Sequence, residues 1–405
     1  MELRFPVILD GATGTQLQKR GFDGSCCAEK WTLEHPEAIL EIQRSYVEAG
    51  SNILYTPTFG ANRVKLESRG LFNKVEEYNL KLAALSREAA DGKAWVAGDI
   101  APTGLFVYPL GDTRFEELVE IYTEQAAALE KAGVDLFVIE TMMTMAEARA
   151  AVLAVKSVSK KPVFVSFTCD ENGRTLGGTD ICAALVVMEG MGVDAFGLNC
   201  SAGPEEMLGH IKRLQKISSL PLIAKANAGM PQLVEGDTVY DCPPDKFASY
   251  IPELVKAGVK LFGGCCGTES AHIAAIREAL QNLPMADISP ENRDMLPCAT
   301  EKQAFFLDPG VELGEAVLCS DELEDDLADA LEEDDELISI AIEDIRELDN
   351  FADCQYMISK PLCLVCEDVE ILEQALRLYQ GRALYEGSLS DEELLPLVEK
   401  YGLII

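Results

Sequence analysis

The chain has 405 residues, 48% of them hydrophobic and 7% aromatic, which suits one large domain and one smaller one. No stretch reaches the roughly 18 uninterrupted apolar residues that a membrane helix needs, so no membrane span is expected. The net charge of −35 would repel a polyphosphate, which excludes a nucleic-acid surface. That charge is uneven: from residue 301 onward there are 29 acidic and 6 basic side chains. The opening MELRFPVILDGATG runs from one basic residue straight into a strand-like segment and lacks the features of a secretory signal. A cytoplasmic location is expected. The 13 cysteines are then expected as free thiols or metal ligands rather than a disulfide framework.

In chain order, eight strands are predicted before residue 270: VILDGAT (7–13), NILYTPT (52–58), WVAGDI (95–100), LFVIETM (136–142), PVFVSFT (162–168), AFGLNC (195–200), PLIAKAN (221–227) and KLFGGCC (260–266). Their apolar runs barely alternate, as in parallel strands buried on both faces. Amphipathic stretches separate them. Four joints, VEAGSN (47–52), EKAGVD (130–135), EGMGVD (189–194) and VKAGVK (255–260), each end a helix on glycine before a strand. The pattern predicts an α/β fold, a (β/α)8 TIM barrel over 1–285, with an open doubly wound sheet as the competing arrangement. A polar, proline-containing linker is expected over 286–302. A small acidic α/β domain then follows over 303–405. Its predicted strands are VLCS, LISIAIED, PLCLVCED, RALYEG and GLII; its predicted helices are LEDDLADALEE, VEILEQALRLYQ and SDEELLPLVEKYG. The acidic run near 321–336 reads as a solvated helix face, because Leu323, Leu327 and Leu331 recur at helical spacing.

In a barrel, chemistry gathers at the C-terminal ends of the strands. Those ends carry Asp10-Gly11-Ala12, Thr56-Pro57-Thr58-Phe59, Asp99, Glu140, Thr168, Asn199-Cys200, Asn227 and Cys265-Cys266. One cysteine ending strand six and two ending strand eight would meet at one mouth. Three soft thiolates there suit zinc with a fourth position open; three buried free thiols are the alternative. Gly263, Gly264 and Gly267 let the backbone bend so that both neighbouring cysteines face one ion. Cys26-Cys27 sits in a polar loop with no such setting. Cys363 and Cys366 form a C-x-x-C without a second pair, which is a weak signal. Only three histidines exist, so a histidine-based zinc site is not expected.

Residues 5–285 resemble the homocysteine S-methyltransferase family, through LDGATGTQL (9–17), EAG with TPTFGAN (48–62), GDIAPTG (98–104), ETM (140–142), GLNCSAGP (197–204), KANAGMP (225–231) and FGGCCGT (262–268). The closest likeness is to the N-terminal part of cobalamin-dependent methionine synthase. The resemblance implies a zinc-dependent methyltransferase that forms methionine from homocysteine, with zinc held by Cys200, Cys265 and Cys266. Metal binding would remove the thiol proton and leave an electron-rich sulfur to attack an electrophilic methyl group. The resemblance further places the homocysteine ammonium on Asp10 and Glu140, with its carboxylate near the Gly11-Ala12 amides. It makes Phe59 a wall of the pocket and Asn227 an oxygen donor to zinc when substrate is absent. Pro57 departs from the family's usual T-N-T-F-G stretch. Residues 361–405 are similar to an early part of a pterin-binding barrel, of which only that part is present. That truncation, and the lack of a D-x-H-x-x-G motif, point to methylcobalamin carried by a separate corrinoid protein. Transfer from S-methylmethionine or betaine, and a non-catalytic zinc scaffold, are the alternatives.

Overall fold

The computed structural model describes residues 4–234 and 237–405. Eight parallel strands form one sheet: β1 (Val7–Ile8), β2 (Ile53–Tyr55), β3 (Trp95–Ile100), β4 (Leu136–Met142), β5 (Val163–Phe167), β6 (Ala195–Asn199), β7 (Leu222–Ala226) and β8 (Val259–Gly264). Each falls on its predicted segment. The hydrogen-bonded order runs from β1 through β8 and on down to β2, so the ends of the sheet are β1 and β2. Asn52 stitches that seam: its amide donates to Ile8 O at 2.6 Å, and its Oδ1 accepts from Ile8 N at 2.8 Å. The sheet therefore closes as a (β/α)8 barrel, and the open doubly wound arrangement is excluded. No helix of the described residues is long and apolar enough to cross a membrane.

The principal helices outside the strands are α1 (Pro36–Ala49), α2 (Val75–Ala90), α3 (Phe115–Lys131), α4 (Met145–Val158), α5 (Ile181–Gly190), α6 (Pro204–Gln215) and α7 (Ser270–Leu280). α1 ends on Gly50, whose φ of 118° lets the chain turn back into β2. Two helices depart from one-sided burial. In α4 every residue from Met145 to Val155 is buried, and in α5 so are Ile181 and Ala183 through Met188. A helix that is apolar all round must be covered on both sides. Here the barrel covers one side and the C-terminal region the other.

That region opens with an antiparallel pair, β9 (Leu296–Ala299) and β10 (Ala304–Leu307), which packs against α5. The stretch expected as a linker thus ends in a strand, and Cys298 in it is fully buried. Four parallel strands follow, β11 (Val317–Leu318), β12 (Ile338–Ala341), β13 (Leu362–Val365) and β14 (Leu384–Glu386), interleaved with α8 (Leu323–Glu332), α9 (Val369–Leu378) and α10 (Asp391–Tyr401). The predicted final strand GLII forms only a single bridge, Ile404 to Leu384. Leu323 and Leu327 of the acidic helix are buried, as their spacing predicts.

One core cluster runs unbroken from the barrel helices into this C-terminal sheet. Arg149 of α4 fastens the two. Its guanidinium is fully buried without a carboxylate and donates to Leu376 O (2.7 Å), Arg377 O (3.2 Å) and Gln380 Oε1 (3.3 Å) at the end of α9. Burial lowers its pKa to about 10. A cation at a helix C-terminus satisfies carbonyls that lack helical partners. Arg149→Ala is expected to leave those acceptors unpaired and to cost about 3 kcal/mol. Urea unfolding at fixed metal content checks this; an unchanged midpoint would contradict it.

Candidate metal and acceptor site

β8 stops at Gly264, and Cys265 opens a tight turn closed by Thr268 N to Cys265 O at 3.1 Å. Gly267 takes the left-handed φ of 81° that the turn requires. A Cβ at Gly264 would lie 2.3 Å from Thr268 Oγ1, so only glycine allows Thr268 to bond back to Cys265 O at 2.7 Å. The turn, rather than a bent strand, brings the adjacent cysteines to one side. Cys200 follows β6 with φ at 55°, its amide bonded to Lys225 O. The three Sγ atoms lie within 4.8 Å of one another, and Cys200 and Cys266 are 3.5 Å apart. Sulfurs bound tetrahedrally at about 2.3 Å sit about 3.8 Å apart, so the cluster fits one zinc ion with little movement. Among the described residues it is the sole group of three or more metal-ligating side chains so placed.

Hydrogen bonds with Cys200 and Cys265 pull the Cys266 thiol down, while hydrogen bonds with the same neighbours and burial push Cys200 up. Three thiolates this close would repel one another, and a cation between them removes that cost.

Beneath and beside the thiols is a cavity of about 290 Å³, lined by Gly11, Ala12, Pro57, Phe59, Asp99, Glu140, Thr141, Lys225 and the three cysteines. Seven of the nine residues expected at the site line it directly, Phe59 among them as a wall. Asp10 sits just under it, 1% exposed, with Oδ2 accepting from Tyr55 N at 2.8 Å. Asn227 is buried outside the lining with its Oδ1 unpartnered. The Ala12 amide donates to Thr268 Oγ1 at 3.1 Å, so it is already engaged.

Glu140 reaches the mouth through an irregularity in β4. The register slips between Ile139 and Met142, and Thr141 takes φ 60°, an outlier for a β-branched residue. Asn199 holds it there, accepting from Thr141 N at 2.8 Å and donating to Thr141 Oγ1 at 2.7 Å. Glu140 Oε2 and Asp99 Oδ1 are buried without hydrogen-bond partners. Burial pushes Glu140 up to about 7, with Lys225 opposing the shift, and burial beside Glu140 pushes Asp99 well up too.

Two participants have no role in the sequence-based expectation, which holds Asn199 only as a strand end. Asn199 is the Thr141 clamp. Lys225, 4% exposed on β7, sits 3.0 Å from Asp10 Oδ1, 3.7 Å from Glu140 Oε2 and 4.0 Å above the Tyr55 ring. Burial opposes its charge, but Asp10 and Glu140 outweigh it and hold the proton on well above the ordinary lysine range. Its signal was a lysine inside the otherwise apolar LIAKA. The other cysteines stay apart from the site: Cys363 and Cys366 are buried in the C-terminal domain.

Comparison with known proteins bears on the same residues. Residues 7–280 match the family model described as homocysteine S-methyltransferase. The methionine synthase of Mycobacterium tuberculosis is 33% identical over 297 residues, covering 68% of this chain and 25% of that protein. The methionine synthase of Mycobacterium leprae is 34% identical over 294 residues, covering 68% and 24%. The chain thus spans about a quarter of the length of these curated relatives. Among solved structures, the homocysteine methyltransferase MmuM of Escherichia coli in its metallated form aligns with a TM-score of 0.57 at 25% identity, covering 68% of this chain and 96% of that one. Its oxidised form aligns equally, with a TM-score of 0.57 at 26% identity over 67% and 95%. The closed barrel, the clustered cysteines and these matches agree: this chain belongs to the homocysteine S-methyltransferase family.

Proposed function

We propose that the chain transfers a methyl group to homocysteine, giving methionine, with zinc held by Cys200, Cys265 and Cys266. The observation carrying this reading is the three-sulfur cluster opening onto a small cavity floored by buried carboxylates. Bound there, zinc would supply the positive charge that strips the acceptor thiol of its proton and keeps its sulfur nucleophilic at neutral pH. Asn227 Oδ1, buried and unpaired, is suited to donate to the ion when no acceptor is present. Glu140 holds the acceptor's ammonium, supported by its Oε2, which is buried and makes no hydrogen bond, and Asp10 supports it from below. Phe59 and Pro57 wall the cavity on the β2 side and exclude water. The acceptor sulfur then forms a bond to the methyl carbon as the bond to the carrier breaks.

The methyl donor we infer is a methyl-corrinoid presented by a separate protein. The loops that follow the barrel strands expose large apolar side chains: Phe72 is 62% exposed, Leu110 60%, Leu176 70% and Leu233 79%. Exposed apolar loops of this kind favour a bulky apolar partner over a small soluble cation. The C-terminal sheet has four strands and does not close, so we assign it a structural role rather than pterin binding. The test is methionine formation by the zinc-loaded protein with homocysteine and methylcobalamin, S-methylmethionine or betaine in turn. Methylcobalamin is expected to be the fastest donor. Faster transfer from S-methylmethionine or betaine would overturn the donor, and no methionine from any of them would overturn the activity.

A further inference from the structure

We infer that Asn199 is a positioning residue for the metal centre: its side-chain amide donates a hydrogen bond to the Cys265 sulfur while holding the peptide that presents Glu140. This rests on the zinc reading above. Asn199 closes β6 immediately before Cys200 and is fully buried, so water can serve none of its side-chain groups. A buried amide at the end of the otherwise apolar AFGLN is costly unless its donors and acceptor are all met.

The orientation of that amide is fixed by its neighbours. The Thr141 backbone N–H can only donate, so the atom that meets it at 2.8 Å is the oxygen, Oδ1. Ser166 Oγ donates to the same oxygen at 2.8 Å, which fills its two lone pairs. Nδ2 is left with two N–H groups. One donates to Thr141 Oγ1 at 2.7 Å. The other meets the Cys265 sulfur at 3.9 Å. Holding Thr141 at its φ of 60° needs only the oxygen and the first N–H. The second is surplus to that task. With neutral thiols the contact is long. A thiolate in the same place makes it a charge-assisted bond, which is shorter and roughly twice as strong. Such a bond draws charge off one of three crowded sulfurs and fixes its direction, as groups just outside the ligands do at other metal centres. One amide thus links β4, beside Glu140, to the turn that carries Cys265 and Cys266.

The test uses the full chain loaded with cobalt(II), whose sulfur-to-metal charge-transfer absorption reports on the ligand sulfurs, alongside zinc competition with a chromophoric chelator. Asn199→Asp keeps the size and the acceptor for the Thr141 amide but offers the sulfur no N–H. It is expected to weaken zinc by about 10- to 100-fold. The cobalt band is expected to move to longer wavelength, because a sulfur without its donor gives up charge more readily. Asn199→Ala in a Thr141→Gly background, compared with Thr141→Gly alone, removes the donor without adding a charge, since glycine takes a positive φ unaided. The same direction of shift is expected there, and that pair carries the comparison should Asn199→Asp fail to fold. A band that stays at its reference position in either comparison overturns the inference, whatever the affinity does, and leaves Asn199 as the Thr141 clamp alone. Wild type that takes up neither cobalt nor zinc overturns the metal reading beneath it.

Discussion

Replacing Cys265 by serine is expected to abolish both zinc retention and methyl transfer. Zinc held by cysteine-rich sites is worth about 10–16 kcal/mol shared among its ligands, so one thiolate lost should weaken binding by on the order of 10³-fold or more. A serine hydroxyl stays protonated at neutral pH and offers a poor, neutral ligand. The geometry gives no spare: the three sulfurs form the sole such cluster among the described residues. Cys200→Ser should behave alike, because its backbone is held in a left-handed conformation that positions its sulfur at the shared point. Cys26→Ser and Cys27→Ser, in a separate loop, should retain one equivalent of zinc. Metal content after dialysis and competition with a chromophoric chelator measure this directly. Wild-type affinity in Cys265→Ser would refute the assignment.

Glu140→Gln should raise the acceptor dissociation constant by on the order of 100-fold while zinc stays bound. The amide keeps shape and hydrogen-bonding atoms but removes the charge that pairs with an ammonium in a buried site. Isothermal titration with homocysteine reads the effect, and a change below threefold would exclude Glu140 from ammonium binding. The same substitution has a signature in stability. Burial raises Glu140 from 4.5 to about 7 in the folded protein. Its contribution is therefore fully present below the unfolded value and is lost as pH rises through about 7. The thermal midpoint of metal-free wild type should fall between pH 5 and pH 8, and that of Glu140→Gln should fall less. A parallel fall in both proteins would count against it.

Much of this was legible in the residues, and what was not has physical reasons. All eight barrel strands are apolar runs that end in polar groups, and burial on both faces makes such runs conspicuous. The cysteines could be grouped because strand ends share one face of the barrel. The manner of their approach was less visible: Cys265 and Cys266 converge through a turn set by Gly267 and Thr268, which is a matter of backbone dihedrals rather than strand pattern. Lys225 was hidden because the strand around it reads as core, and only a three-dimensional neighbourhood reveals Asp10 and Glu140 as its partners. Asn199 was hidden likewise, since its work is to hold a dihedral at Thr141, 58 positions away. The pairing of β9 with β10 escaped because Pro297 and a polar flank make the segment look like a connector.

The all-round burial of α4 and α5 bears on solubility. Their outer faces carry the alanines, valines and leucines of AEARAAVLAV and ICAALVVM, with few charges to hold water. A barrel cut free near residue 285 would present those faces to solvent as one broad apolar patch beside the uncovered guanidinium of Arg149. Patches of that kind drive self-association. The residues from 301 onward, with their 29 acidic side chains, cover that patch and would serve as a tethered solubiliser for the barrel.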